Sequence, residues 1–377
     1  MQKSIAFFSP IKFSKKLGAT KNRIEFGDAL SKLGWKTYYI GPAELEFEDN
    51  KFSKRDYSEH LKNYLIKNAG LYDVILYEYD SLPFERSLFH SKTLFVARPA
   101  LLKYHSRTVK APVDFLIKLK SFLKTILITQ KNTSSIEAIE IKSLNNCDLI
   151  QVQNSMDQDI LSKKFPNKRI LKIPNGIGED RFNTFQKIEK SYKTLIEKPV
   201  IAFVGTFDYR KGAKDIKYFL KNIVKKHPNV VFKLIGTKGM FQTKEEVLNY
   251  FPIHLRKNLL IIPEFDPLEL PHLLNECHLG IFPSYRESFG FGALEMMCSG
   301  LPVIAYASAG PCDFILKDLL VDIGNKELFL SKIYNLLKSS DTLKEYSKLA
   351  KIIAEDYQWI KIASTAEQYY NMELERL

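Results

Sequence analysis

The sequence predicts an α/β protein made of two Rossmann-like domains in tandem, and three observations lead there. The chain has 377 residues, and beyond about 250 residues a single core tends to split into domains. Short apolar runs rich in β-branched and aromatic residues alternate with amphipathic helical stretches, the pattern of βαβ units building a parallel sheet. That alternation occurs twice, on either side of a polar, lysine-rich stretch from Ile177 to Lys198.

In the first series the strands are Ile5–Phe8, Lys36–Ile40, Val74–Tyr77, Thr93–Ala97 and Leu149–Val152, and a run at Ile170–Ile173 is broken by Pro174-Asn175-Gly176. Residues 1–176 are thus expected to form an N-terminal domain, and 177–198, which shows no strong apolar period, a linker. The second series runs through Val200–Val204, Val230–Ile235, Leu259–Ile262, Leu279–Phe282 and Pro302–Tyr306, giving a C-terminal doubly wound domain over 199–342. The remainder, 343–377, reads as helical, with aromatic anchors at Tyr346, Tyr357, Trp359, Tyr369 and Tyr370.

Composition narrows the function classes. Hydrophobic residues make up 45% and charged residues 26%, as in ordinary globular proteins. Apolar runs such as Val200–Val204 fall far short of the ~20 residues that span a bilayer. The N-terminus lacks the long apolar region and cleavage site of an export signal, so a cytoplasmic location is expected. Cys147, Cys277, Cys298 and Cys312 form no Cys-x-x-Cys pair and read as reduced structural thiols. The formal charge of +13 favours anionic partners. The basic residues are spread along the chain and spell no nucleic-acid-binding module, so nucleic acid is not an expected partner. One segment, Val109 to Lys131, mixes Phe115, Leu116, Leu119, Phe122, Leu123 and Ile126 with Lys118, Lys120 and Lys124 at roughly helical spacing. It fits a helix lying on an anionic membrane surface, and equally a domain helix with its lysines in solvent.

Two segments carry the chemistry. In Ser284-Tyr-Arg-Glu287-Ser-Phe-Gly290-Phe-Gly-Ala-Leu-Glu295 a strand ends, a glycine-bearing loop follows and a short helix closes at Gly300. A helix start after such a loop offers backbone N–H groups and a positive dipole end to a phosphate, and carboxylates at two depths suit sugar hydroxyls. The bland alternative is a solvated Glu287 and a dipole-compensating Glu295. The second segment, Gly205-Thr-Phe-Asp208-Tyr-Arg210-Lys211-Gly212, leads into a helix near Ala213. Two cations beside a helix N-terminus oppose its dipole unless an anion sits there, and a diphosphate resolves the conflict. Side chains extended into solvent also account for them.

Together these segments resemble the retaining, group-1 glycosyltransferases of GT-B fold, whose Glu-x-Phe-Gly-x4-Glu signature is matched by Glu287-Ser-Phe289-Gly290 and Glu295. Gly300-Leu-Pro302-Val-Ile-Ala305 with Ser308-Ala-Gly310, Lys211-Gly212, Leu234-Ile-Gly236 and Ile173-Pro-Asn175-Gly176-Ile extend the likeness over roughly 145–320. The resemblance implies a GT-B enzyme with a cleft between two domains. It implies that a nucleotide diphosphate sugar donor binds the second domain, that a glycan or lipid-linked acceptor binds the first, and that no cofactor is needed. It implies that Glu295 holds the ribose hydroxyls. It implies too that Glu287 and the amides of Phe289, Gly290 and Phe291 hold the transferred sugar, and that Lys211 and Arg210 neutralise the diphosphate. Gly18, Gly205, Thr206, Gly236, Ser288 and Gly310 complete the implied substrate-binding set. It also implies that the terminal helix packs back on the first domain. The chain departs from the family at Thr206, where an arginine is usual, at Arg98-Pro99-Ala100-Leu101, where a histidine is common, and at Leu17-Gly18-Ala19, which has one glycine where two are common.

Other readings fit less of the chain. Asp157-Gln158-Asp159 has the spelling of a metal-binding Asp-x-Asp, but Ser155 and Gln158 read as a capping box that puts both acids in a first helical turn. The seven histidines show no ligand spacing, so no metal site is expected. A dinucleotide oxidoreductase needs Gly-x-Gly-x-x-Gly after a first strand, which neither half has. A sugar-nucleotide epimerase of the same fold remains the alternative activity.

Overall fold

The computed structural model describes residues 2–15, 18–47, 53–114, 131–195 and 197–377. Most of the basic segment between Val109 and Lys131 lies outside the described residues. Among the described residues, no helix is long and apolar enough to cross a membrane. Two compact units emerge, each around its own six-stranded parallel sheet.

The first unit contains the described residues up to Leu102, those from 131 to Gly178, and Gln358–Leu377. Its strands are β1 (Ser4–Phe8), β2 (Lys36–Ile40), β3 (Val74–Glu78), β4 (Leu94–Arg98), β5 (Leu149–Val152) and β6 (Arg169–Lys172), in the order β2-β1-β3-β4-β5-β6. β1 and β4 are buried along their whole length, as strands covered on both faces must be, which explains their unbroken apolar spelling. One face packs Phe8, Tyr77 and Phe95 with Tyr57, Leu61 and Leu65 of the helix Lys54–Asn68. Helix α1 (Gly18–Lys32) and the terminal helix Trp359–Leu374 pack against each other. There Phe26 and Trp359 stack at 5.4 Å, and the Trp359 indole N–H donates to Glu25 at 2.9 Å.

One expectation shifts here. Helix Ser155–Lys164 is capped by Asn154, not Ser155: the Asn154 side chain accepts from the Asp157 N–H at 2.7 Å and donates to the Asp157 carboxylate at 2.8 Å. Gln158 instead donates to the Ile170 carbonyl at 3.1 Å. Asp157 is thus a buried capping partner. Arg98, where the resembling family has a histidine nearby, is buried and donates to the Asn175 side chain of the Pro-Asn-Gly turn.

The second unit holds the described residues from Lys103 to 114 together with Glu179–Tyr357. Its strands are β7 (Val200–Val204), β8 (Val231–Ile235), β9 (Leu259–Ile262), β10 (Leu279–Phe282), β11 (Val303–Tyr306) and β12 (Leu320–Val321), in the order β12-β11-β10-β7-β8-β9. Counted from β7, this is the doubly wound order in which the direction of winding reverses between the first and fourth strands, here β7 and β10. From Glu179 on, the stretch expected as a linker is, in its described residues, part of this unit. It forms helix α2 (Glu179–Gln186) and buries Phe182, Phe185, Ile188, Tyr192 and Leu195, an apolar residue every third or fourth position beneath the lysines. The expected boundary at 342 likewise falls at Tyr357. Helix Ser340–Ala354 buries Leu343, Ala350 and Ala354 and packs on the helix Phe291–Cys298 of the same unit.

Just before β10, buried His278 accepts from the Val200 N–H at 2.9 Å through Nδ1 and faces the Thr194 hydroxyl at 3.3 Å through Nε2. Burial, and then the Lys190 charge, lowers its pKa to about 4. The native state therefore refuses a proton that the unfolded chain accepts below about pH 6.5. Stability of this unit should fall as pH drops from about 6.5 to about 4, by on the order of 2 kcal/mol once solvent screening is discounted. Denaturant melts of wild type and His278→Asn across that window check this, the variant showing a flatter dependence.

Candidate active site

Because β7 and β10 are parallel neighbours at the reversal point, their C-terminal ends release two loops side by side, the place where open α/β sheets bind ligands. The loop from Gly205 to Gly212 runs into helix α3 (Ala213–Ile223), and that from Pro283 to Gly290 into helix α4 (Phe291–Cys298). Both helices are capped by left-handed glycines, Gly212 at φ 85° and Gly290 at φ 100°. At Gly212 a Cβ would lie 2.3 Å from the Pro283 carbonyl oxygen, so the two loops touch through backbone. The Tyr285 N–H donates to the Arg210 carbonyl at 2.9 Å, a second backbone link between them.

Asp208 shapes the first loop. Its carboxylate accepts from the Lys211 N–H and from the Thr206 hydroxyl, both at 2.9 Å, and its carbonyl accepts from the Lys211 and Ala213 N–H groups at 3.1 Å. Tyr209 donates to Asp114, which also pairs with Lys214 at 3.2 Å. Arg210 lies 3.8 Å from Asp208 and donates to the Arg286 carbonyl at 3.3 Å. Burial, and then the Arg210 charge, lowers the pKa of Arg286, with Asp208 opposing. Three cations, Arg210, Lys211 and Arg286, therefore occupy these two loops.

The second loop is fixed from below and beside. Tyr285 and Tyr306 both donate to buried Asp215, in the first turn of α3, at 2.7 Å. Desolvation raises the Asp215 pKa against those two hydrogen bonds. Two residues beyond Tyr285, Glu287 forms an ion pair with Lys211, each side chain being 14% exposed. The Lys211 ammonium also sits 5.3 Å from the Phe282 ring centroid, within cation–π range. Gly310 donates to the Glu287 carbonyl at 3.1 Å, and a Cβ there would come within 2.2 Å of the Phe289 carbonyl oxygen. The Phe289 ring packs on Phe291 at 5.1 Å and Phe314 at 5.5 Å, and Ser288 is buried. Inside α4, Glu295 is buried and pairs with Arg181 of α2 at 2.5 Å.

Of the residues singled out from sequence, Gly205, Thr206, Arg210, Lys211, Glu287, Ser288, Phe289, Gly290 and Phe291 lie on these two loops or at the helix starts. Glu295 lies inside α4, Gly310 beside the second loop, and Gly236 at the end of β8, where Ile235 accepts from the Gly205 N–H. Gly18 opens α1, in the first unit. Sequence reasoning missed Asp208, Asp215, Arg286 and Arg181. The Asp-x-x-Lys spacing at 208–211 was a usable turn signal. The two long-range pairs, Asp215 with Tyr285 and Arg181 with Glu295, leave no local trace. Chemically, two helix N-termini and three cations suit a diphosphate, and carboxylates on a loop and in a helix suit hydroxyls.

Residues 184–353 match the family described as glycosyl transferases group 1. The capsular polysaccharide biosynthesis glycosyltransferase CapM of Staphylococcus aureus is 25% identical over 209 residues, covering 52% of this chain and 54% of that protein. The matched stretches span 65% or less of the first curated relatives' own lengths. Among solved structures, sucrose-phosphate synthase of Thermosynechococcus elongatus superposes over 100% of both chains with a TM-score of 0.75 at 17% identity. HepE of Anabaena, solved with UDP and glucose, does so over 97% of this chain and 99% of its own with a TM-score of 0.64 at 13% identity. At those identities the structural likeness speaks for the fold, which is GT-B.

The contact at Gly212 sets a test. Gly212 and Gly324 of the same unit have nearly equal φ, 85° and 86°, but a Cβ on Gly324 meets nothing nearer than 3.7 Å. Gly324→Ala should cost about 1 kcal/mol of backbone strain, and Gly212→Ala at least about 2 kcal/mol more, because the Pro283 backbone must move. Thermal melts of the two variants measure the difference.

Proposed function

We propose, from the premise that residues 184–353 belong to the group 1 glycosyl transferases, that this protein is a retaining glycosyltransferase. It moves a sugar from a nucleotide diphosphate donor to a glycan or lipid-linked acceptor of a surface polymer. The observation that carries the proposal is the pairing of Lys211 with Glu287 where the two central loops meet. One cation and one carboxylate hold each other beside Arg210, Arg286 and the N-terminus of α4. A diphosphate draws Lys211 away, and Glu287 is then free to accept from the hydroxyls of the transferred sugar.

In this reading Glu295 accepts from the ribose diol, and the start of α4, with the Phe289, Gly290 and Phe291 amides, faces the sugar and its phosphate. Charge on the leaving diphosphate grows as the glycosidic bond breaks. Fixed cations in a water-poor site stabilise that developing charge more than they stabilise the bound donor. Retention, taken from the family resemblance, has the acceptor hydroxyl attack the face the diphosphate leaves, giving its proton to the departing phosphate oxygen. UDP as the donor nucleotide is supported by HepE, and a surface-polymer acceptor by CapM.

A thermal-shift screen against UDP-, GDP- and ADP-sugars tests the donor class. A true donor at about 100 times its dissociation constant stabilises the fold by about 2.7 kcal/mol, and no shift with any of them refutes the proposal. The cation pair is tested by kinetics: Lys211→Ala with Arg210→Ala should lower kcat more than it raises the donor KM. Turnover within about threefold of wild type, under about 1 kcal/mol of barrier, would dismiss the clamp.

A further inference from the structure

Arg23, Arg98 and Arg181 each bury an Nε that has no partner, but their guanidiniums donate through other nitrogens, to Glu78, Asn175 and Glu295. Arg286 is different. Its Nε is buried without a partner, and among the described residues no acceptor takes a hydrogen bond from its guanidinium and no carboxylate lies within ion-pair distance of it. Its neighbour across the two loops is another cation: the Arg286 carbonyl accepts from Arg210 at 3.3 Å. Burial, and then the Arg210 charge, works against the charged form of Arg286, and Asp208 does not offset them. The Asp208 carboxylate is already engaged by the Lys211 N–H, the Thr206 hydroxyl and, at 3.8 Å, Arg210. On the loops 205–212 and 283–290, Lys211 answers Glu287 and Arg210 answers Asp208, which leaves Arg286 over. A partly desolvated cation held beside a like charge costs stability. Such local violations mark places where function sets the residue, here where an anionic ligand completes the balance.

The position of Arg286 in the loop indicates which part of the ligand it meets. It directly precedes Glu287, which in the proposed function accepts from the transferred sugar. In a nucleotide diphosphate sugar, the phosphate bonded to that sugar is the terminal one. We propose that Arg286 is a further catalytic residue, whose guanidinium binds the sugar-side phosphate of the donor. The inference rests on the reading of Glu287 and goes beyond it by assigning one phosphate to a residue outside the Lys211 and Arg210 clamp. As the anomeric C–O bond breaks, its electron pair stays on that phosphate's oxygen, which takes the acceptor's proton while the acceptor oxygen bonds to the anomeric carbon. The charge thus grows on the phosphate that Arg286 holds. Unlike Lys211, Arg286 has no carboxylate to release first, and a planar, permanently charged guanidinium suits phosphate oxygens. One consequence separates this role from a structural one: losing Arg286 penalises a nucleoside diphosphate and spares the monophosphate, which lacks the terminal group.

The experiment is calorimetry on the full chain at about pH 8, where the phosphates are fully ionised, with UDP, GDP and ADP and the matching monophosphates. Wild type should bind one diphosphate about tenfold or more tighter than its monophosphate. Failure of all three diphosphates to bind sinks the proposed donor class and the inference with it. Equal affinity for the two forms of a bound nucleotide overturns the inference alone. In Arg286→Met, which keeps the apolar stem and loses the charge, the preference for the diphosphate should fall by about fivefold or more, with the monophosphate bound as in wild type. An unchanged preference, or an equal loss for both forms, overturns the inference and leaves the donor reading standing. If Arg286→Met does not fold, Arg286→Gln carries the same comparison with the same outcomes.

Discussion

The site depends on one contact: the backbone of the loop after β7 lies against the backbone of the loop after β10, with Gly212 where a side chain would strike the Pro283 carbonyl. Strands β7 and β10 are neighbours because the winding of the second sheet reverses between them, and a crossover connection cannot fill the gap left at that reversal. Residues 76 positions apart, Lys211 and Glu287, therefore become an ion pair. The glycine conformations, the helix starts and the hydrogen bond from Tyr285 to Arg210 serve that approach.

Acids lie against several of the cations and hold them in place. Asp208 organises the turn that carries Arg210 and Lys211, and Glu287 pairs with Lys211. Asp215 anchors Tyr285 below, and Arg181 meets Glu295 inside the helix pair. Under the proposed function, partner exchange is the mode of such a site, since a diphosphate would bring the negative charge that Glu287 otherwise supplies to Lys211. The same low-dielectric surroundings that make each pair costly to break also make a growing phosphate charge worth more to stabilise than it would be in water.

The first unit is built by the same rules but to a different pattern, β2-β1-β3-β4-β5-β6, and it is completed by a helix from the far end of the chain. Trp359 stacks on Phe26 and donates to Glu25, Trp35 donates to Glu367, and Tyr370 donates to Gln151. Each aromatic buries a large apolar body and satisfies its one polar atom, which suits these residues to fastening a terminal helix.

Sequence by itself determined the alternation of strands and helices, the two α/β units and the two segments of the candidate site, because these rest on local properties: hydrophobic period, turn residues and the glycine–helix junctions. The strands other than β12, which no apolar run announced, appear within a residue or two of where their apolar runs place them, as at β4, one residue later than Thr93–Ala97. It misled where a local signal was masked or shared. The lysines of 177–198 hid the spaced series Phe182, Phe185, Ile188, Tyr192 and Leu195, and Asn154 competed with Ser155 for one helix cap. Only the tertiary structure decided which unit the residues from 343 to 357 join, since helix Ser340–Ala354 has an apolar face that any core accepts. It also decided the partners of Lys211, Asp215 and Glu295. A long-range pair leaves no period in the sequence, and which of many charged residues meet is settled by strand order and by the desolvation that burial imposes on any charge left without a partner.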